Sequence, residues 1–413
     1  MAGLEQTVAA LARMKELARR AGAEPPHPPR RMTERHGFGA NPGALRMLVY
    51  APKGLPEGSP LVVTLHGCGQ GAEAYAAGAG WLALADRLGF VVVAPEQSAA
   101  NNANRCFNWF EPDDVAPGYG EAASIRQMVD AAVGDCDLDP SRVYVTGLSA
   151  GGAMTTALLA AYPEVFAAGA VLAGLPYRAA DDVMAAFGAM FQPQARPARE
   201  LGDLVRGASG YAGPWPRLSI WHGDADSTVS VLNEGEIAKQ WVNVHGLAYA
   251  AAAHDHVDGQ RHLVWSDAEG RPQVESYTIK GMGHGTPLAT RGPDALGTAG
   301  PFLLEAGISS TERIADFWGL DRPAAAPALT EAPPIVLPAP APRSAAPKPA
   351  VPEPATAAAA KPRARRPPRA AAPAAEPPVP PPVHRPPSAP DARRAAVHDV
   401  IAKALTAAGL MKR

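Results

Sequence analysis

Continuous apolar runs along the chain predict strands that are buried on both faces. The runs Leu61–Leu65, Phe90–Ala94 and Val143–Thr146 are almost entirely apolar, as strands are when helices cover both sides of their sheet. Four further runs also favour strands: Leu45–Tyr50, Ala168–Ala173, Leu218–Trp221 and Val274–Ile279. Stretches with helical spacing lie between them, around 73–88, 120–134, 152–161, 232–246 and 308–317. This alternation predicts an α/β fold with a mostly parallel, doubly wound sheet.

One interval interrupts the alternation. Residues 176–215 are rich in Ala, Met, Phe and Pro and contain no clear strand. Since the interval lies between two predicted central strands, it is either a small cap over the carboxyl edge of the sheet or an ordinary surface insertion. The sequence leaves both interpretations open.

Composition divides the rest of the chain into segments. The N-terminal residues have apolar side chains at helical spacing, whereas Pro-Ala-Arg runs near the C-terminus cannot supply a packed core. The predicted boundaries are an amphipathic helix at 1–22, a linker at 23–36, the α/β domain at 37–320, a disordered tail at 321–390 and a short helix at 391–413.

The charge of the chain is unevenly distributed. Residues 322–413 contain 14 Lys and Arg against 5 Asp and Glu, which leaves 24 against 35 for residues 1–321. The near-neutral chain is therefore an acidic globule followed by a basic tail. The cluster at 361–369 has five basic residues and no acidic one. It predicts attraction to a polyanion or an anionic surface, and a solubilising tail without a dedicated partner is the alternative.

Location and cofactors follow from what the sequence contains. The N-terminal segment has no apolar run between a basic start and a small-residue cleavage site, so no classical signal peptide is predicted and we expect a cytoplasmic protein. No run approaches the roughly 18 apolar residues of a transmembrane helix. The three cysteines fit no zinc spacing, and we expect neither a metal nor a cofactor.

The motif Gly147-Leu148-Ser149-Ala150-Gly151 identifies a candidate nucleophile. It follows a predicted strand and precedes a predicted helix, which is the context in which Gly-x-Ser-x-Gly places a serine on a sharp turn. Such a turn needs neighbours that are nearly free of side chains. The helix that follows favours the negative charge that develops during acyl transfer.

A serine nucleophile needs a base, and the base needs an acid to orient it. In this type of sheet the acid and the histidine follow later strands, in the order serine, acid, histidine. The strand at 218–221 runs into Asp224 and Asp226, and the strand at 274–279 runs into His284 in a glycine-flanked loop. We predict Asp226 as the acid and His284 as the base, with Asp224 as the rival acid. His222 is interpreted as a turn residue.

The oxyanion requires two backbone N–H donors. One is expected from Ala150, directly after the candidate nucleophile. The other is expected from the glycine-rich loop that follows the strand Leu61–Leu65, with Cys68 as the predicted donor.

Five motifs stand in order along the chain: His66-Gly67-Cys68-Gly69-Gln70, Cys106-Phe107-Asn108-Trp109-Phe110, Gly147-Leu148-Ser149-Ala150-Gly151-Gly152-Ala153-Met154, His222-Gly223-Asp224-Ala225-Asp226 and Gly281-Met282-Gly283-His284. Together they resemble the poly(3-hydroxybutyrate) depolymerase-like esterases over roughly 37–320. The resemblance implies an α/β-hydrolase fold, the triad Ser149, Asp226 and His284, and oxyanion donors at Cys68 and Ala150. It also implies that Trp109 contacts substrate. Phe107 stands where the family pattern leads us to expect tryptophan.

The expected function is therefore a serine esterase that acts through an acyl-enzyme. The predicted substrate is a short-chain poly(3-hydroxyalkanoate) polyester or its oligomers, with a feruloyl- or acetylxylan-type ester as the alternative. Asn108 and Trp109 are the predicted substrate contacts. A different class of protein is also considered, a non-catalytic granule- or polyanion-binding protein that uses the fold as a scaffold. Members of the resembled family are often extracellular, unlike the location expected here.

A disulfide between Cys68 and Cys106 would join the two predicted active-site segments that contain them. Cytosolic thiols are normally reduced, which argues against the bond. We predict the bond, with Cys136 free, and keep three free thiols as the alternative.

Overall fold

The computed structural model of the chain describes residues 31–292 and 295–321. The predicted helices at 1–22 and 391–413, most of the predicted linker, nearly all of the tail from 321 and the basic cluster at 361–369 lie outside the described residues. The ordered sheet begins earlier than predicted. Thr33–Arg35, inside the predicted linker, forms a strand that pairs antiparallel with Arg46–Tyr50.

Ten strands form one sheet in the order β1-β2-β4-β3-β5-β6-β7-β10-β9-β8. Their bounds are β1 Thr33–Arg35, β2 Arg46–Tyr50, β3 Leu61–Leu65, β4 Val91–Glu96, β5 Val143–Leu148, β6 Ala168–Leu172, β7 Arg217–Gly223, β8 Ala253–Val257, β9 Gln260–Ser266 and β10 Pro272–Ile279. The six strands from β4 to β10 in this order are parallel to one another. The predicted mostly parallel sheet is therefore confirmed.

Helices cover both faces of the sheet. Their bounds are α1 Ala72–Gly78, α2 Trp81–Leu88, α3 Gly120–Asp135, α4 Ala150–Ala161, α5 Val183–Phe191, α6 Ala198–Ser209, α7 Leu232–Val244 and α8 Ser310–Trp318. On β3, Leu61, Val63 and Leu65 contribute to the core beneath α3, α4 and α7, whereas Val62 packs on the opposite face with α1, α2 and α8. This double burial explains why the central strands are continuously apolar.

The structure departs from the sequence prediction in three places. The predicted helix at 73–88 is two helices, because Gly80 lies between them with φ of 91°. The strands β8 and β9, which carry His254, His256 and His262, are not among the predicted strands. A small parallel sheet joins β11 Thr286–Leu288 to β12 Leu303–Glu305.

The interval 176–215 contains the helices α5 and α6 and no strand. Ala186 of α5 belongs to an apolar cluster that also contains Trp109 and Ala150, beside the candidate nucleophile. Leu201 of α6 is buried and Val205 belongs to the main core. One half of the interval thus packs beside the carboxyl edge of the sheet and the other half completes the body of the domain. Among the described residues, no helix is long and apolar enough to span a membrane.

Candidate active site

Ser149 occupies a sharp turn between β5 and α4. Its φ of 58° and ψ of −117° lie outside the regions that non-glycine residues usually adopt. Its N–H donates to the carbonyl of Leu172 at 2.9 Å, which ties the turn to the end of β6. The side chain is therefore lifted above the carboxyl edge of the sheet, where acyl-transfer nucleophiles of this architecture lie.

Two glycines make the turn sterically feasible. A Cβ on Gly147 would overlap the carbonyl oxygen of Gly151, and a Cβ on Gly151 would overlap the carbonyl oxygen of Leu65 at the end of β3. A Cβ on a third glycine, Gly152, would lie only 3.0 Å from the carbonyl oxygen of Leu172. The turn is packed backbone to backbone against its neighbouring strands, which only residues without side chains permit.

Asp226 and His284 meet because their strands are neighbours. His222 and Gly223 of β7 pair with Thr278 and Ile279 of β10, so the loops after the two strands emerge side by side. The Nδ1 of His284 lies 2.7 Å from Oδ2 of Asp226. The carboxylate is fully buried. An acid in contact with Nδ1 leaves Nε2 as the atom available to exchange a proton.

The other oxygen of Asp226 is fixed by its own loop. Oδ1 accepts the N–H groups of Thr228 at 2.8 Å and Val229 at 3.0 Å. Asp224 is exposed, and its carboxylate accepts the N–H of Gly281 at 2.6 Å. The geometry therefore favours Asp226 over Asp224 as the acid, and gives Asp224 the role of joining the two loops.

His222 is a third partner of the acid, and its interpretation as a turn residue is wrong. It is the second-last residue of β7 and is fully buried. Its Nε2 lies 2.9 Å from the carbonyl oxygen of Val229 and 3.3 Å from Oδ2 of Asp226. Since both neighbours are acceptors, Nε2 must carry a proton. Its buried Nδ1 has no hydrogen-bond partner within the described part of the chain, so the ring acts on its surroundings through Nε2.

The electrostatics keep Asp226 ionised. Burial would raise the pKa of its carboxyl, but the charge of His284 and the hydrogen bonds from His222 and His284 outweigh burial and lower the pKa well below its ordinary value. A carboxylate that remains charged can stabilise the imidazolium that forms when His284 takes a proton.

The predicted oxyanion donors flank Ser149. A small pocket is lined by Gly67, Cys68, Gln70, Leu148, Ser149, His284 and Phe302. Ala150 is the first residue of α4, so its N–H has no acceptor within its own helix. The loop of Cys68 is closed by a hydrogen bond of 2.9 Å from the Gly67 N–H to the side-chain oxygen of Gln70.

A second loop, at 101–110, fastens the oxyanion loop. Cys68 and Cys106 form a disulfide, whereas Cys136 is free and partly buried. The Gly69 N–H donates to the carbonyl of Asn104 at 2.8 Å, and the guanidinium of Arg105 donates to the carbonyl of Gly69 at 2.9 Å. One covalent bond and two hydrogen bonds therefore hold the two loops together.

Buried histidine and glutamate side chains support these loops from below. The Nε2 of His66 accepts the N–H of Gln97 at 3.1 Å, and its Nδ1 lies 2.8 Å from the carbonyl of Gly67. Burial lowers the pKa of His66 to about 4, so the ring is neutral. Glu121 accepts hydrogen bonds from Gln97 and Asn108, yet burial raises its pKa to about 8.

The predicted substrate contacts differ in their surroundings. Both polar ends of the Asn108 side chain are used within the protein, toward Glu121 at 2.8 Å and Asn102 at 3.0 Å. These contacts hold the loop of Asn108, and its contact with substrate stays a prediction. Trp109 is 7% exposed and packs with Phe110 and Ala150, so it lies next to the nucleophile as part of an apolar wall.

Sequence reasoning missed Phe302, which lines the pocket with Ser149 and His284. Its ring meets the His284 ring edge-on, with centroids 6.0 Å apart. Its segment carries no motif, so no local signal marked it. Within the described ranges, no group of three or more His, Cys, Asp and Glu side chains is arranged to hold a metal ion.

Comparison with known proteins adds the family. The sequence model described as "Esterase PHB depolymerase" matches residues 45–263, just over half of the chain. Poly(3-hydroxyalkanoate) depolymerase C of Paucimonas lemoignei is 48% identical over 70% of this chain and 70% of its own length. Feruloyl esterase B of Talaromyces funiculosus is 32% identical, covering 62% of this chain and 73% of its own. Acetylxylan esterase of Coprinopsis cinerea is 34% identical, covering 64% and 71%.

A solved structure shows the same fold. The acetyl xylan esterase from Aspergillus awamori superposes with a TM-score of 0.60 at 23% identity, over 70% of this chain and 99% of that one. The fold and the family match agree with the resemblance seen in the five motifs. The chain therefore belongs to the esterase PHB depolymerase family of α/β hydrolases, and it is a serine-type carboxylic-ester hydrolase.

Proposed function

We propose that this esterase hydrolyses an aliphatic polyester of the poly(3-hydroxyalkanoate) type, or its oligomers, with Ser149, His284 and Asp226 as the catalytic triad. The observation that supports this most is the hydrogen bond between His284 and Asp226, because His284 lines one pocket with Ser149 and the Cys68 loop. The substrate class rests on the 48% identity to a poly(3-hydroxyalkanoate) depolymerase.

Acylation follows from this arrangement. Ser149 Oγ attacks the ester carbonyl while Nε2 of His284 accepts the hydroxyl proton. The Nδ1–H of His284 donates to Asp226 throughout, which orients the ring and stabilises the imidazolium. The N–H groups of Cys68 and Ala150 receive the oxyanion. His284 then gives its proton to the departing alcohol, and the acyl group remains on Ser149.

Deacylation repeats the same steps with water. His284 takes a proton from a water molecule and the hydroxide attacks the acyl carbonyl. The tetrahedral intermediate then collapses: Oγ of Ser149 leaves and takes the proton from Nε2 of His284, and the acid is released. The same two N–H donors serve both halves of the reaction. No residue other than those of the triad has to change its protonation state.

The surroundings of the pocket suit an uncharged, aliphatic ester. None of its lining residues is an Asp, Glu, Lys or Arg. The apolar cluster of Trp109, Phe110, Leu175 and Val229 adjoins Ala150 on one side. An apolar pocket with a few convergent polar groups is the usual form of a small-ligand site.

A substrate panel tests the proposal. Purified protein and Ser149→Ala are compared on p-nitrophenyl butyrate, 3-hydroxybutyrate oligomers, methyl ferulate and acetylated xylan. We expect hydrolysis of the first two, with product release from the oligomers measured by chromatography. Preference for methyl ferulate or acetylated xylan would replace the polyester by the alternative esters that the fungal relatives are named for. Equal rates for the wild type and Ser149→Ala would refute the triad.

We further propose that the basic cluster at 361–369 attaches the enzyme to an anionic surface. Its support is the sequence alone, five basic residues without an acidic one. Deletion of 322–413 should leave hydrolysis of a soluble ester unchanged and weaken retention on an anionic matrix. Retention of the full chain should fall steeply with salt. Equal retention of both proteins across the salt series would refute this attachment.

A further inference from the structure

Phe302 has a backbone conformation that a bulky residue seldom adopts. Its φ is 62°, in the left-handed region, which glycine and asparagine adopt most often and in which an aromatic residue is an outlier. Such a conformation costs free energy and persists only where the surrounding structure enforces it.

The surrounding structure does enforce it. The carbonyl of Phe302 accepts the N–H of Thr286 at 2.8 Å, and Gly300 and Leu303 exchange two backbone hydrogen bonds at 2.9 and 3.0 Å across the turn. Thr286 begins β11, two residues after His284, and β11 pairs with β12, which begins at Leu303. The small sheet therefore ties the backbone of Phe302 directly to the loop that carries the base.

This backbone conformation places the Phe302 ring beside the ring of His284, where it lines the pocket. The two rings are 77° apart at a centroid distance of 6.0 Å. Ser149 and Cys68 line the same pocket. Phe302 packs with the core on the side of α1, α2 and α8, whereas Trp109 belongs to a separate apolar cluster. The two aromatic residues thus bound the nucleophile from different directions.

The chemistry of the reaction distinguishes these directions. His284 must deliver its proton to the leaving oxygen, so the alcohol portion of the ester lies on the side of the His284 ring. We infer that Phe302 is the specificity-determining wall for the alcohol portion of the ester, and that it also holds the His284 ring in place. This inference rests on the proposed roles of Ser149 and His284. The family match ends at residue 263 and does not reach Phe302.

Two ester series test the inference. One series keeps the butyryl group and varies the alcohol from ethyl to butyl to benzyl. The other keeps ethanol and varies the acyl group from acetyl to butyryl to hexanoyl. For Phe302→Ala, we expect the kcat/KM ratio between benzyl and ethyl esters to change about tenfold or more, because one lost apolar contact in a pocket changes discrimination by roughly 10–200-fold. The acyl-series ratios should change less than about threefold.

Two further variants serve as controls. Leu304→Ala removes the side chain of a neighbour on β12 that packs near Gly285 and does not line the pocket, and should leave both series unchanged. Phe302→Gly removes the ring and also relieves the backbone, so its melting temperature should be no lower than that of Phe302→Ala, and its alcohol selectivity should change equally. If Phe302→Ala does not fold, Phe302→Gly gives the measurement.

Changes of equal size in both series, or unchanged alcohol selectivity in both Phe302 variants, would overturn the inference. So would wild-type selectivity in Phe302→Gly with altered selectivity in Phe302→Ala, since the backbone would then be the cause. These outcomes differ from failure of the proposed function, in which the wild type itself would hydrolyse the esters no faster than Ser149→Ala.

Discussion

The nucleophile side and the histidine side of the active site are built in contrasting ways. Ser149 is placed by a short contiguous motif whose glycines press against the backbones of β3 and β6. His284 is placed by partners that are distant along the chain. Asp226 lies 58 residues before it, and Phe302 directly precedes β12, the strand that pairs with β11. The first side depends on the absence of side chains, and the second depends on their presence.

The difference predicts different responses to substitution. Backbone packing leaves no room for relaxation, so the nucleophile side should lose its fold when an atom is added. The histidine side is held by hydrogen bonds and ring contacts, so it should keep its fold and lose activity when an atom is removed or exchanged. The following experiments probe this contrast.

Exchange of the acid tests the histidine side. Asp226→Asn should lower kcat about 10⁴-fold with the fold intact, because an amide cannot stabilise the imidazolium or select the right tautomer. Asp224→Asn should stay within about tenfold of the wild type, since Asp224 contacts only backbone near the site. Steady-state kinetics and circular dichroism provide the measurement. A larger loss for Asp224→Asn would assign the acid to the rival position.

Addition of one methyl group tests the nucleophile side. Gly151→Ala forces a Cβ against the carbonyl of Leu65, and we expect a loss of about 3 kcal/mol or more, or no soluble protein. Gly283→Ala, next to His284, is the matched control, because nothing lies within 4 Å of its Cβ position. Its free energy of unfolding should change by less than about 1 kcal/mol. Equal stability of the two variants would refute the contrast.

The disulfide belongs to the nucleophile side and should matter for stability. Cys106→Ser should lower the free energy of unfolding by about 3–4 kcal/mol, because the bond closes a long loop. Cys136→Ser should have little effect, since Cys136 is free. Thiol titration of denatured, non-reduced wild type should find one thiol. Three thiols in active protein would show that the bond is absent.

The hydrogen bond from His222 should have a smaller effect. His222→Leu removes a donor from the Asp226 carboxylate, and hydrogen bonds to charged groups contribute roughly 1.5–3 kcal/mol. We expect kcat to fall about tenfold or more with KM unchanged, and His222→Gln, which restores a donor, to recover part of it. A KM effect without a kcat effect would contradict an orienting role.

The contact between His222 and Asp226 should also affect how the free energy of unfolding depends on pH in the acid range. The folded-state pKa of Asp226 is depressed, so its contribution is present above the unfolded carboxyl pKa of about 3.9 and is lost as the pH falls below it. His222→Leu should lose part of this contribution. Urea titrations of both proteins between pH 3 and pH 6 give the comparison, and parallel curves would contradict it.

Glu121 should give a pH dependence of stability with the opposite sign. Its folded-state pKa is raised to about 8, so the folded protein binds the extra proton and stability falls as the pH rises from about 4.5 to 8. The difference in unfolding free energy between the wild type and Glu121→Gln, followed over this pH range, gives the contribution of Glu121, because the contribution of buried histidines such as His66 is common to both proteins. A difference that is flat or rises over that interval would show that Glu121 is ionised in the fold.

The turn at Ser149 was predictable from the sequence because its determinants are local. The glycines around Ser149, the preceding apolar strand and the following helix lie within some 20 residues of one another. The pairing of the Asp226 and His284 loops was also predictable in outline, since parallel strands bring the ends of β7 and β10 to one edge. That prediction needed an expected fold, a parallel sheet, in addition to the types of the residues.

Other parts of the site depended on neighbours that the sequence does not specify. The turn assignment of His222 is wrong because only the fold shows His222 buried beside Asp226, and only the fold shows that Glu121 engages Asn108. Phe302 carries no motif, and its unusual φ arises from hydrogen bonds to a strand that is separate in sequence. Hydrophobic periodicity reports which face of an element is buried, but it does not report which element covers that face.

From the sequence one can predict the order of the central strands, the serine turn and the esterase chemistry, because periodicity and glycine requirements act over short distances along the chain. Only the assembled fold shows that Asp226 rather than its rival Asp224 contacts His284, what holds that carboxylate ionised, and which aromatic ring closes the pocket beside His284. Those choices depend on contacts between segments tens of residues apart, whose free energy arises only once the sheet has assembled.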